Sequence, residues 1–176
     1  ANRHPRVNIL QPGPGVGGHC IAVDPWFIVS KTPEQARLIR TAREVNDSKP
    51  EWVINKVKLA IADFLQANPA KTTKDITLAC YGLAFKPDID DLRESPALDI
   101  AMSLIRDNVG EILLVEPNIK QLPAKYAEHA ARLTPLPQAL ERANVLVVLV
   151  DHKQFKTLHP ADVATKVVID TRGIFG

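Results

Sequence analysis

Residues 75–96, DITLACYGLAFKPDIDDLRESP, decide how this chain folds. From Asp75 to Phe85 the sequence is almost continuously apolar, with no polar alternation, which is how a strand covered on both faces reads. A polar loop follows, KPDIDDLRES. From Ser95 onward Ala97, Leu98, Ala101, Leu104 and Ile105 recur at helical spacing. The same strand–loop–helix alternation continues downstream. EILLVEP (111–117), NVLVVLV (144–150) and KVVIDTR (166–172) read as further buried strands. A weak helix over 122–132 and a short one in PLPQALERA lie between them. Apolar strands alternating with amphipathic helices predict an α/β fold, a parallel sheet with helices on both faces. In such sheets function gathers at the carboxyl ends of strands. Here those ends are Gly82 to Lys86, Glu116 to Asn118, Val150 to His152 and Asp170 to Arg172.

Upstream of the sheet the period is that of a helix. TPEQ, Thr32 to Gln35, has a capping residue, a proline suited to the first turn and a capping-box partner, so a helix is expected to begin there. Ala36, Ile39, Ala42 and Val45 or Asn46 then share a face. Pro50 predicts a kink or a restart, with Ser48 as the new cap. Trp52, Val53, Val57, Ala60, Ile61, Phe64 and Leu65 continue the pattern until QANPA stops it. So long a helix spans between domains or packs against a partner copy. Residues 1–30, with their prolines and glycines, read as irregular apart from a short alternating run at Val7 to Leu10.

Composition narrows the class. The 176 residues are 45% hydrophobic and 24% charged, with a net charge of +2 and both signs interspersed. Those are globular proportions, and they point to neither nucleic acid nor a membrane surface as a partner. No apolar run approaches the length of a membrane span, and no signal peptide opens the chain. The two cysteines sit in unlike contexts, Cys80 inside an apolar strand and Cys20 in a glycine-rich loop, so a disulfide framework is not expected and a cytoplasmic setting is. The opening residues read as mid-domain sequence, and a piece of a longer protein is expected.

That glycine loop, PGPGVGGHC (12–20), has the G-x-G-x-x-G spacing at Gly13, Gly15 and Gly18. A dinucleotide fingerprint also needs a buried strand before it, a helix opening at its third glycine and an acidic residue further on. The preceding run is short and interrupted by Asn8, and Pro25 with its β-branched neighbours argues against an immediate helix. The spacing is therefore coincidental as a fingerprint. What remains is a turn whose backbone a substrate can approach closely, ending in a thiol. From the residues alone, Cys20 is either a nucleophile or an incidental cysteine in a turn. His19 is its neighbour, but adjacent side chains in an extended segment diverge, and a metal site would need further ligands that the spacing does not supply. Asp88, Asp90 and Asp91 lack the pattern of a calcium loop and read as loop-ordering and capping carboxylates. Lys86 and Arg93 flank a strand end and a helix start, where phosphate groups are favoured.

With these motifs in place the chain resembles the UDP-glucose/GDP-mannose dehydrogenase family. GPGVGGHCIAVDP is similar to its cysteine loop, G-F-G-G-S-C-x-x-K-D. GLAFKPDIDDLRESPALDI is similar to its nucleotide-sugar motif, G-x-A-F-K-x-x-x-D-D-x-R-x-S-P, and VVIDTRG also fits. The resemblance implies a central helix followed by a Rossmann-like UDP-binding domain. Residues 1–30 would end the amino-terminal domain with the cysteine loop, 31–70 would form the central dimerisation helix, and 71–176 the UDP-sugar-binding domain. It further implies oxidation of the C6 alcohol of a nucleotide sugar to a carboxylate, with two NAD⁺ and a water. Cys20 would form a thiohemiacetal and then a thioester, and Asp24 would position the water. Phe85 and Lys86 would contact the UDP-sugar substrate, Arg172 the uridine diphosphate, and Gly17 the sugar. His4 and Arg6 would reach the partner subunit's substrate site in a homodimer built on the 32–66 helix. Arg93 would touch NAD, held mainly by an amino-terminal domain that these residues do not include. Two positions depart from the family pattern, His19 for serine and Val23 for lysine, and both fit its mannosamine subgroup. A non-catalytic nucleotide-binding or dimerisation module on the same fold is the alternative from a different class.

Overall fold

The computed structural model describes residues 3–6 and 11–175, so the alternating run at Val7 to Leu10 lies outside the described residues. Four strands, β1 (Thr77–Tyr81), β2 (Glu111–Val115), β3 (Val145–Val148) and β4 (Val167–Asp170), form one sheet in the order β2-β1-β3-β4. Every pairing is parallel, with Cys80 opposite Leu114 on one side and Val147 on the other. The strands alternate their side chains between two apolar layers. Leu78 and Cys80 face one and Ala79 and Tyr81 the other, and all four are fully buried. That double burial is why β1 shows no polar alternation. A buried side chain the size of Leu78 contributes about 1.5–3 kcal/mol. Burial also pushes the Cys80 thiol up to about 12, so it acts as a small hydrophobe.

The first layer packs α3 (Lys49–Ala67) and α4 (Pro96–Arg106) on the sheet through Val53, Val57, Ile61, Leu98, Ile100 and Leu104. The second holds α5 (Leu136–Arg142), the short α6 (Pro160–Val163) and Phe155, whose ring stacks on Tyr81 at 5.0 Å. Helices on both faces agree with the reading of the sequence. Ser95 caps α4 as expected, accepting the Leu98 N–H at 3.4 Å, and its hydroxyl also donates to Leu83 O at 2.7 Å. The weak helix over 122–132 is a run of 3₁₀ turns, Ala124–Arg132, broken at Tyr126.

The amino-terminal third differs from expectation in three places. A helix, α1 (Asp24–Lys31), forms directly after the cysteine loop. Pro25 does not prevent it, because a proline in the first turn gives up an N–H that has no helical acceptor anyway. Asp24 puts a negative charge at the same helix start. Second, the next helix, α2, runs over Arg37–Asp47, so TPEQ is a turn rather than a helix start. Thr32 instead closes α1, its hydroxyl and its N–H both donating to Ile28 O. Third, Ser48 keeps helical backbone angles between α2 and α3, and its hydroxyl donates back to Val45 O rather than capping. Pro50 sits in the first turn of α3, so the two helices meet at a one-residue break. Among the described residues no helix is long and apolar enough to cross a membrane.

Candidate functional site

The chain reverses direction across the sheet at β1. Its successor β2 lies on one side, and β3 and β4 lie on the other. Such a switch opens a crevice at the carboxyl ends of the central strands. A cleft of about 360 Å³ occupies that place. Its floor is Ala84, Phe85 and Lys86 after β1 and Leu149 to Asp151 after β3, and its roof is the glycine loop with Gly15 to Gly17 and Ile21. Gly82, with φ of +89°, starts the turn after β1, and a Cβ there would run into Val150.

The glycine loop is seated by close approach. A Cβ on Gly17 would overlap the Glu94 carbonyl oxygen, and the Gly18 N–H donates to that same oxygen at 3.2 Å. The Phe85 ring lies against Gly18. From the other side α2 clamps the loop. Asn46 Oδ1 accepts the Val16 N–H at 2.9 Å, its Nδ2 donates to Val16 O at 3.4 Å, and the buried Arg43 donates to Ile21 O at 3.4 Å and to Asp47 at 2.6 Å. The loop ends in an exposed turn that presents His19 and Cys20, with the Cys20 carbonyl accepting the Val23 and Asp24 N–H groups.

Two cations border the cleft. Arg172, past β4, donates from Nε to Asp151 Oδ1 at 2.8 Å, with Nη2 ion-paired to the same oxygen at 2.8 Å, and donates from Nη1 to Pro12 O at 2.9 Å. One guanidinium thus ties the end of β3 to the glycine loop. Asp151 also pairs with Lys156 at 2.7 Å. Its burial resists ionisation, but these two cations hold its carboxyl below the usual range. Lys86 lies 5.7 Å from the centroid of the Phe85 ring, and among the described residues no carboxylate pairs with it. The cleft therefore offers an ammonium, a half-buried guanidinium, an aromatic ring and glycine backbone, a set suited to a phosphorylated ligand.

Of the residues singled out in the sequence, Gly17, Phe85, Lys86 and Arg172 line this cleft. Cys20 is exposed on the turn beside it, next to Ile21, which does line it, and Asp24 is exposed at the start of α1. His4 and Arg6 lie outside it, exposed, with the Arg6 N–H donating to His4 Nδ1 at 3.2 Å. Arg93 is also outside, on an adjacent groove. Its guanidinium grips Asp91 in a two-pronged pair and holds that carboxyl at about 2. Asp88 orders the loop as expected, accepting the Lys153 N–H at 3.0 Å. The sequence marks the strand ends that carry Asp151, Glu116 and His152 but not their partnerships, and it puts Asn46 on a helix face without its loop contacts and passes over Arg43. Asparagine near a helix end facing a glycine loop is the signal that was there to be read.

Comparison with known proteins agrees with this layout. Residues 79–176 match the UDP-glucose/GDP-mannose dehydrogenase family, UDP binding domain, and residues 1–48 match that family's central domain. The chain is 61% identical over 175 residues to the UDP-N-acetyl-D-mannosamine dehydrogenase of Salmonella typhi, covering 99% of this chain and 41% of that protein. It is 56% identical to an NDP-N-acetyl-D-galactosaminuronic acid dehydrogenase of Ralstonia nicotianae, covering 99% of this chain and 39% of that protein. A solved structure of the UDP-N-acetyl-mannosamine dehydrogenase of Staphylococcus aureus superposes with a TM-score of 0.71 at 39% identity, covering 99% of this chain and 38% of that one. The chain thus spans about two fifths of the length of the curated relatives it matches. With its glycine loop, its loop after β1 and its parallel sheet all accounted for, this chain belongs to the UDP-glucose/GDP-mannose dehydrogenase family.

Proposed function

We propose that these residues are the UDP-sugar-binding part of an NAD-dependent dehydrogenase that oxidises the C6 alcohol of UDP-N-acetyl-D-mannosamine to the uronate. The observation that carries the reading is the cleft itself, where Lys86, Arg172, Phe85 and Gly17 converge beside the Cys20 turn. Arg172 and Lys86 would take the diphosphate and Phe85 would border the sugar, with Gly17 leaving room for it. Cys20 Sγ would add to the C6 aldehyde carbon, forming a C–S bond that retains the reactive group. After that adduct is oxidised, a water held and deprotonated by Asp24 would attack the same carbon, and the C–S bond would break to release carboxylate and thiol. NAD, when bound, supplies the hydride acceptor. The glycine loop is packed on Glu94 and Phe85 rather than open as a pyrophosphate cradle, and the exposed Arg93 guanidinium would touch the cofactor. His4 and Arg6 would act across a subunit boundary in a cytoplasmic homodimer. The second copy is supported by Leu38, Val45, Trp52 and Leu59, which recur every seven residues along α2 and α3 and are 52–82% exposed.

The test of the chemistry is Cys20→Ser in the longer enzyme. It should abolish uronate formation while leaving UDP binding intact, and normal uronate yield would sink the nucleophile assignment. Turnover with purified nucleotide sugars separates mannosamine from galactosamine, glucose and GDP-mannose substrates. For the homodimer, a Val45→Glu, Leu59→Glu double variant should sediment as a monomer, and an unchanged dimer would exclude that face.

A further inference from the structure

Behind the floor of the cleft a carboxylate and an imidazole are joined deep in the protein. Glu116, just past β2, and His152, past β3, both have side chains that are 0% exposed, and His152 Nε2 lies 2.9 Å from Glu116 Oε2. The same oxygen accepts the N–H groups of Leu83 at 2.8 Å and Ala84 at 3.1 Å. Glu116 Oε1 accepts the backbone and side-chain N–H groups of Asn118 at 3.1 and 3.2 Å. On the far side of the ring, Nδ1 accepts the Asp88 N–H at 2.9 Å, with Asn118 Nδ2 at 3.0 Å. A backbone donor at Nδ1 leaves the ring proton on Nε2, so the network assigns the tautomer.

These bonds grip one segment at both ends. Leu83 and Ala84 precede Phe85 and Lys86, and Asp88 follows them. Asp88 has φ of +61°, a left-handed backbone uncommon outside glycine, though Asp tolerates it better than most residues. An apolar pair of the same volume would fill the space with no charge to desolvate. What the polar pair supplies and an apolar pair does not is a set of directed acceptors for three loop amides.

We propose that Glu116 and His152 are positioning residues, which fix the backbone path of residues 83–88 and thereby aim Phe85 and Lys86 into the cleft. The ligand side of this inference rests on the proposed function, and the loop side does not.

Two measurements separate them: amide hydrogen exchange at Leu83, Ala84 and Asp88, and calorimetric binding of UDP. His152→Leu removes both ring nitrogens. It should speed exchange at those three amides about tenfold, leave the β2 and β3 amides protected, and weaken UDP binding about tenfold. His152→Asn restores an acceptor near the Nδ1 position and should recover protection at Asp88 but not at Leu83. Should His152→Leu fail to fold, Glu116→Gln preserves the volume and presents an amide donor to a row of donors, so Leu83 and Ala84 should loosen in the same way. Unchanged exchange at the three amides in a folded variant overturns the proposal. So does a uniform rise across all four strands, which would mark a general packing role. A wild-type chain that does not bind UDP counts against the proposed function, and exchange still decides the positioning role. If the wild type binds UDP and His152→Leu binds it equally well, the function stands and the positioning role fails.

Discussion

Two loops meet at the cleft, and they are held in place by different means. The segment after β1, residues 83–88, is held by directed hydrogen bonds to a buried charge, Glu116, and to the imidazole beside it. The glycine loop is held by close packing and by hydrogen bonds, none of which, among the described residues, has a carboxylate as acceptor. Its Gly17 presses onto the Glu94 carbonyl and Pro96, and its clamps are an uncharged asparagine and single arginine contacts to the Ile21 and Pro12 carbonyls. The first loop is tied from beneath to side chains at the ends of β2 and β3. The second lies on the surface of that unit and ends in an exposed thiol. Under the proposed function, the segment held from beneath would keep one end of the substrate still while the other end reacts at the turn.

The difference implies that a loop seated by close packing should break when a methyl is added. Gly17→Ala places a Cβ against backbone carbonyl and proline atoms that cannot swing aside, so the loop must lift. The expected cost is about 2 kcal/mol, the scale of overpacking at a tight contact. Thermal unfolding of the chain should register it as a fall of several degrees in Tm. A Gly17→Ala variant as stable as the wild type would mean that the close seat on Glu94 does not hold the loop.

The next effect is smaller. Asn46→Ala removes both hydrogen bonds to Val16 and leaves the helix intact, so about 1 kcal/mol should be lost in urea unfolding. Because those bonds are local to the glycine loop, amide exchange at Val16 should rise while Leu83 stays protected. Equal loosening at Leu83 would show that the two loops are one unit, against the contrast drawn above.

How much of this was legible in the sequence follows the same division. The sheet was readable because β1 and β3 are covered on both faces and so lack any polar alternation, and because Ser95 carries its cap in a local pattern. The family motifs led to Gly17, Phe85, Lys86 and Arg172, and these four line one cleft. The errors arose where one residue has two local uses. Pro25 reads as a breaker yet sits harmlessly in a first turn, and Thr32 reads as a helix start yet closes the helix before it. The Glu116–His152 pair was out of reach for a different reason. Its partners are 36 positions apart, and only the parallel crossing of β2, β1 and β3 brings them together.

Acid gives the finest test of a charged against a neutral acceptor. Burial alone would raise the Glu116 carboxyl above its ordinary value of 4.5, but the hydrogen bonds from His152, Leu83 and Asn118 outweigh it and leave the group lowered. A carboxyl whose folded value is depressed contributes stability that is complete above its unfolded value and disappears as pH falls through the folded one. Protection of the Leu83 and Ala84 amides should therefore be constant from neutrality down to about pH 5 and decline below the 4.5 of the unfolded group. The Val16 amide, whose acceptor is the neutral Asn46 side chain, should show no step in that window. Parallel decline of both loops would mean that acid acts on the whole sheet rather than on the charge beneath residues 83–88. A step confined to Leu83 and Ala84 would tie the floor of the cleft to the ionised state of one buried carboxylate.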